Sequence, residues 1–310
     1  MGVEKKMRVP NVLVVFTSCL LLSANVTADY GKGLNAYSTA DYETAFREFK
    51  ASAEQGDPDS QFFLGAMYQK GNGVLQDYKE AVKWFTKAAE QGDDAAQDNL
   101  GFMYATGEGV LQDYKEAVKW STKAAEQGND SAQFNLALMY SNGNGVLQDY
   151  KEAVKWFTKA AEQGNASAQF NLGFMYSYGE GVLQDYKEAV KWFTKSAEQG
   201  NAPAQFSLGS MYNNGEGVLQ DYKEAVKWYT KAAEQGSASA QGNLGSMYGN
   251  GEGVLQDNVY AHMWLNIASS NGNETARANR DIVATRITPN QLAEAQSLAR
   301  ECVKKDYKNC

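Results

Sequence analysis

Between Tyr78 and Gln91 the apolar residues Tyr78, Ala81, Val82, Phe85, Ala88 and Ala89 recur at the spacing of one helical face. Lys79, Glu80, Lys83, Lys87 and Glu90 lie opposite, and Gly92 follows, the residue that accepts a left-handed helix end without a side-chain clash. The pattern predicts a helix over 78–91. Trp84 sits about 100° from the centre of the apolar face and is expected to pack against an adjacent helix. A second apolar arc, Ala96, Leu100, Met103 and Tyr104, predicts a helix over 95–105. Gly107 and Gly109 then form a turn that leads through Val110 and Leu111 to the next helix. Glu108 would repel phosphate and no strand precedes the turn, so it is not a phosphate cradle. It also lacks the alternating oxygen ligands of a calcium loop.

The segment Asp-Tyr-Lys-Glu-Ala-Val begins at Asp77, Asp113, Asp149, Asp185 and Asp221, a constant period of 36 residues, with diverged copies at Asp41 and Asp257. One helix pair cannot bury its apolar face alone, and a period of this length marks a solenoid in which neighbours cover each other. The expected fold class is all-α, a solenoid of 36-residue helix-pair repeats. Six full repeats occupy 41–256 and a partial seventh 257–273. Residues 29–40, with Tyr30, Leu34 and Tyr37 on one face, form an N-terminal capping segment. Residues 274–310 supply C-terminal capping helices, one over 274–286 and one opened by Thr288, Pro289 and Gln291 in a capping-box arrangement.

Mid-helix glycine costs up to roughly 1 kcal/mol against alanine, yet Gly101 recurs as Gly65, Gly173, Gly209 and Gly245, with Ala137 the one small departure. The expected reason is a close approach of two helix backbones. Two units break the pattern. Glu48 stands where the others carry tryptophan, as suits a terminal repeat that meets solvent. Ser121 stands where Phe85 and Phe157 do. Losing a ring from a well-packed core costs about 3–5 kcal/mol, so local weakness is expected unless Trp120 fills part of the gap.

The run Ala81…Trp84-Phe85…Ala88-Ala89-Glu90-Gln91-Gly92…Ala96-Gln97…Leu100-Gly101…Tyr104…Gly107-x-Gly109-Val110 resembles the Sel-one-like repeat, a relative of the tetratricopeptide repeat. The resemblance covers nearly all residues after 29, and Ala261…Trp264-Leu265 followed by Asn271-Gly272-Asn273 is similar to the closing repeat of bacterial members. It implies a right-handed alpha-alpha superhelix acting as an adaptor for protein complexes, often in the periplasm. Some cysteine-rich relatives are described as penicillin-binding or weakly beta-lactamase-like; this chain lacks their cysteine in each repeat.

The chemistry-bearing residues are few. The one histidine, His262, replaces the core valine of Val82 and reads as a packed residue. No serine or cysteine stands in a marked nucleophile arrangement. Each repeat carries the same glutamates beside lysines, as a solvated face does, with no special carboxylate pair. The chain is therefore not expected to be an enzyme, a beta-lactamase-like hydrolase being the weaker alternative, and no cofactor or metal is expected. A formal charge of −8 gives no footprint for nucleic acid.

Residues 1–28 resemble a signal peptide: Lys5, Lys6 and Arg8, an apolar run from Val12 to Leu22, and Val26-Thr27-Ala28 before a cleavage point. The mature chain is then periplasmic or secreted, with no integral membrane segment. Export permits a disulfide between Cys302 and Cys310, with two free thiols as the alternative.

Two surfaces are candidates for a protein or extended-peptide partner. One is a stripe on the second helices. The counterparts of Asp98 are Phe62, Phe134, Phe170, Phe206 and Gly242, and those of Phe102 are Ala66, Leu138, Phe174, Ser210 and Ser246. These rings either pack one repeat on the next or form an exposed aromatic ladder. The other is the polar arc of the first helices, with Lys83, Lys119, Lys155 and Lys191. The functional expectation is an interaction scaffold or adaptor in the bacterial cell envelope; the alternative is a secreted factor that binds cell-wall material or a host protein.

Overall fold

The structure is a computed structural model that describes residues 29–310, so the expected signal peptide lies outside it. The described residues form sixteen α-helices and no strand. A short α1 (Tyr30–Ser38) leads into the first helices of successive units: α2 (Tyr42–Glu54), α4 (Tyr78–Glu90), α6 (Tyr114–Glu126), α8 (Tyr150–Glu162), α10 (Tyr186–Glu198), α12 (Tyr222–Ala233) and α14 (Asn258–Ser270). The second helices alternate with them: α3 (Pro58–Lys70), α5 (Asp94–Thr106), α7 (Asp130–Asn142), α9 (Ala166–Tyr178), α11 (Ala202–Asn214), α13 (Ala238–Asn250) and α15 (Glu274–Ala284). The last helix is α16 (Pro289–Lys304). The molecule is a solenoid of helix pairs, each packed on the one before and the one after.

Local sequence sets each helix end. Asp77 accepts hydrogen bonds from the backbone amides of Lys79 at 2.9 Å and Glu80 at 3.1 Å, and so satisfies orphan donors at the start of α4. Asp113, Asp149, Asp185 and Asp221 repeat the same cap. The second helices from α3 to α13 end on a left-handed glycine, Gly107 at φ 79° for α5. Gly109, also left-handed, lies so close to the Tyr78 carbonyl that a side chain there would clash.

The core lies between the two helices of a unit and between units. Ala81, Phe85, Ala88 and Ala89 of α4 meet Leu100 and Met103 of α5, all buried. Trp84 belongs with Ala53 and Leu64 of the preceding unit, as the edge of its helix face implied. Its indole also lies under Lys87, whose ammonium is 4.0 Å from the ring centroid.

The mid-helix glycines have a different reason from backbone approach alone. A methyl group on Gly65 would stand 2.8 Å from Phe85 Cδ1, and Gly173 and Gly209 face Phe193 and Tyr229 in the same way. In these units the missing side chain makes room for the ring of the following helix. Only at Gly101 and Gly245, opposite Ser121 and Leu265, are backbone atoms among the three nearest neighbours.

A polar spine runs beside this core. Gln97 Nε2 donates to the Ala89 carbonyl at 3.0 Å, while its Oε1 accepts from Gln127 Nε2 at 2.9 Å. Gln127 Nε2 also donates to the Gly92 carbonyl at 3.0 Å, and the arrangement recurs at Gln163, Gln199 and Gln235. Each rung satisfies buried amides and carbonyls that would otherwise cost about 1–3 kcal/mol apiece.

At the C-terminal end, α16 starts with the Thr288–Gln291 capping box. Cys302 and Cys310 are joined as a disulfide with their Cα atoms 5.3 Å apart. The tail turns back through left-handed Asp306, Tyr307 and Asn309. Lys308 Nζ then donates to the Glu234 carbonyl at 2.9 Å, and the Asn309 amide donates to Glu234 Oε1 at 3.1 Å.

Candidate protein-binding surface

On the first-helix arc one lysine of each central unit is paired within its own helix. Lys83 pairs with Glu80 at 3.1 Å, Lys119 with Glu116 at 3.0 Å, Lys155 with Glu152 at 3.0 Å and Lys191 with Glu188 at 3.1 Å. Exposed pairs of this kind contribute about 0–1 kcal/mol. The same pair recurs in the five central units, so this face presents one motif repeatedly.

The aromatic stripe divides into two sets. Phe62, Phe134, Phe170 and Phe206 are half-buried, each with its ring centroid 5.8 Å from Phe85, Phe157, Phe193 or Tyr229 of the next first helix. They pack one repeat on the next. Phe102 and Phe174 lie one turn further along and are 45% and 40% exposed. These two belong to the accessible face. Tyr178 joins them at 67% exposure, its ring centroid 4.4 Å from that of Phe174.

Clefts open between successive second helices, one of them, of about 260 Å³, between α13 and α15; two more lie beside the exposed rings. One of about 610 Å³ lies between α9 and α11, lined by Phe170, Phe174, Tyr178, Phe206, Ser210 and Asn214 among others. A smaller one, of about 180 Å³, lies between α5 and α7 and includes Phe102, Tyr114, Asn135, Leu138 and Asn142. The sequence pattern reached Phe170, Phe174 and Phe206 but missed Tyr178, whose counterparts Thr106, Asn142 and Asn214 are not aromatic.

The junction of the second and third units holds a polar pair where other junctions have two rings. Asp98 and Ser121 occupy the places of Phe134 and Phe157. Burial pushes the Asp98 carboxyl above the usual carboxylate range; Asn135, donating at 3.0 Å, opposes that rise, and Asp130 and Asp94 add to it. Ser121 Oγ is buried without a hydrogen-bond partner. Trp120 keeps the lysine contacts of the other tryptophans, with Lys123 4.2 Å from its ring centroid, so it has not swung across to replace the lost ring.

His262 is buried, and burial together with Arg280 holds its pKa below the ordinary 6.5, with Asp281 acting in the other direction. Its Nδ1 has no hydrogen-bond partner. Among the described residues no group of histidine, cysteine, aspartate or glutamate is arranged to hold a metal ion, and no helix is long and apolar enough to cross a membrane.

A solenoid of helix pairs with a constant charged face and a variable aromatic face defines a repeat scaffold. The Sel1 repeat family model matches residues 21–57, 58–93, 94–129, 130–165, 166–201, 202–237 and 238–273, and the chain belongs to that family. After the first, each matched segment begins with a second helix and runs through the first helix of the next unit. A crystal structure of a Sel1 repeat protein from Oxalobacter formigenes is similar at 34% identity and a TM-score of 0.68, covering 76% of this chain and 94% of its own. A protective antigen of uropathogenic Escherichia coli strains, with the same repeat fold, is similar at 30% identity and a TM-score of 0.50, covering 90% of this chain and 85% of its own. No curated protein sequence matches the chain. Sel1 repeat proteins are generally protein-interaction scaffolds, typically without enzymatic activity.

Proposed function

We propose that this protein is an adaptor of the bacterial cell envelope that holds a partner protein along the second-helix face. The observation that carries the reading is the exposed ring set Phe102, Phe174 and Tyr178 above open clefts, on a face that varies from unit to unit while the first-helix face repeats one lysine–glutamate pair. Apolar rings left in solvent are typical anchors for a partner. The envelope location rests on the basic and apolar pattern of residues 1–28 and on the paired Cys302 and Cys310, which an oxidising compartment permits.

A photo-crosslinking residue at Asn142 or Asn214, on the second helices, should capture the native partner, and the same residue at Lys155 or Lys191 should not. Capture only from the lysine positions would overturn the choice of face. N-terminal sequencing of the exported protein should begin at Asp29. The secreted alternative is favoured by the Escherichia coli relative being named a protective antigen. Recovery from culture medium, or retention on isolated peptidoglycan without a protein partner, would select it.

A further inference from the structure

The two clefts differ in size for a reason written in the repeat. Phe102, Asn135, Leu138 and Asn142 stand 72 residues before Phe174, Ser207, Ser210 and Asn214, and the two sets line the small and the large cleft respectively. Leucine at 138 occupies space that serine at 210 leaves open. The large cleft, about 610 Å³, is in the range that accepts a bulky side chain with adjoining backbone. Its walls are rings, Phe170, Phe174, Tyr178 and Phe206.

Charge around this cleft is one-sided. The segments 91–113, 127–149, 163–185, 199–221 and 235–257 hold α5, α7, α9, α11 and α13 with their turns, and contain no lysine or arginine. Every charged residue in them is aspartate or glutamate. Glu216 lines the large cleft, and Glu180 holds the same place in the preceding turn. Among the described residues neither forms an ion pair. The lysines of these units all lie on the first helices. From α5 to α13 the second-helix face therefore offers aromatic walls and unpaired carboxylates with no cation of its own.

We propose that the α9–α11 cleft takes an aromatic side chain from an extended peptide segment rich in lysine or arginine. The ring enters between Phe170, Phe174 and Phe206, and the flanking cations meet Glu180, Glu216 and the face of Tyr178. An extended segment suits a face that continues from one unit to the next. The inference rests on the second-helix face being the binding face.

Fluorescence anisotropy tests it with three short labelled probes: a lysine–glycine peptide with a central phenylalanine, the same peptide with alanine at the centre, and a glutamate–glycine peptide with the phenylalanine. The cleft is closed by S210L combined with Y229F, which installs the residues found at Leu138 and Phe157 two repeats earlier. Y229F also removes the hydroxyl that donates to Ser210 Oγ at 3.0 Å. The first probe should bind, weaken with added salt, and lose about tenfold affinity in S210L/Y229F, the size of a lost anchor contact. The alanine and glutamate probes should bind at least about tenfold more weakly than the first. E180Q/E216Q, placed in turns, is the second variant if S210L/Y229F melts early, and should also weaken the first probe. Equal binding of the glutamate probe, equal binding of the alanine probe, or unchanged affinity in the closed-cleft variant would overturn the proposal. So would retention of a neutral oligosaccharide with no binding of the first probe. If Asn142 and Asn214 still crosslink the native partner while the probes fail, only this inference falls; if crosslinking fails too, the choice of face falls with it.

Discussion

The two helices of each unit treat repetition differently. α4 and α8 are identical over all thirteen residues, surface lysines and glutamates included. α9 and α11 keep their buried set, with Ala168, Gln169, Leu172, Gly173 and Met175 returning as Ala204, Gln205, Leu208, Gly209 and Met211. Their accessible residues change, Phe174 to Ser210 and Tyr178 to Asn214. A partner lying on the first helices would meet the same lysine–glutamate pair at every step and could slide by one repeat. A partner lying on the second helices meets rings, amides and a carboxylate in an order that occurs once. Register is thus available only on the second-helix face.

The sharpest way to break this comparison is to remove the rings assigned to packing. F134S, F170S and F206S together should destabilise the protein by roughly 4–6 kcal/mol, from about 1.5–2 kcal/mol of lost burial and pair contact per ring. A melting curve measures it. F174S with Y178S, on the accessible side, should move the same curve little. Equal losses in the two variants would erase the distinction between packed and exposed rings.

A smaller effect of opposite sign is expected where the junction of the second and third units departs. D98F with S121F restores the pair found at Phe134 and Phe157, removes a buried hydroxyl without a partner, and should add about 2 kcal/mol. S121F alone should gain less, because its ring would face the Asp98 carboxylate. A double-mutant cycle on thermal stability reads the coupling, and additive effects would show that the two positions do not touch.

The smallest expected effect concerns pH. Burial and Arg280 lower the folded-state pKa of His262, so as pH falls the unfolded chain takes up the proton first. The stability that neutral His262 contributes is full above about pH 6.5 and is lost as pH falls toward the folded-state value. H262V, which restores the residue at Val82, should remove that loss. Asp98 acts in reverse: its raised pKa means the folded state holds the proton more tightly, so stability rises as pH falls through that value. Melting temperatures of the parent and H262V on both sides of pH 6.5 separate the two, and parallel pH curves would leave His262 without a role.

The period, the helix pairs and their ends were legible because they depend on local features, such as Asp77 at a helix start, Gly107 at an end and apolar spacing between. What depended on the next unit was less legible. The stripe could not be divided from sequence, since Phe170 and Phe174 lie on adjacent turns and only the position of α10 decides that one ring meets Phe193 while the other faces solvent. Gly65 read as backbone contact because the Phe85 ring that crosses it belongs to the following helix. Gln97 and Gln127 were visible as repeated residues, but their mutual hydrogen bond joins separate repeats. The Asp98–Ser121 exchange leaves a trace in the spacing: the two exceptions are separated by 23 residues, as are Phe62 and Phe85.

On the proposed function, the second-helix face and not the charged arc carries the partner. Titration calorimetry of the native partner against two folded variants tests it most directly. K155Q/K191Q should keep the parental affinity within about twofold, and F174S/Y178S should lose at least about tenfold. The reverse order, with the lysine variant weakened and the ring variant unchanged, would contradict the account.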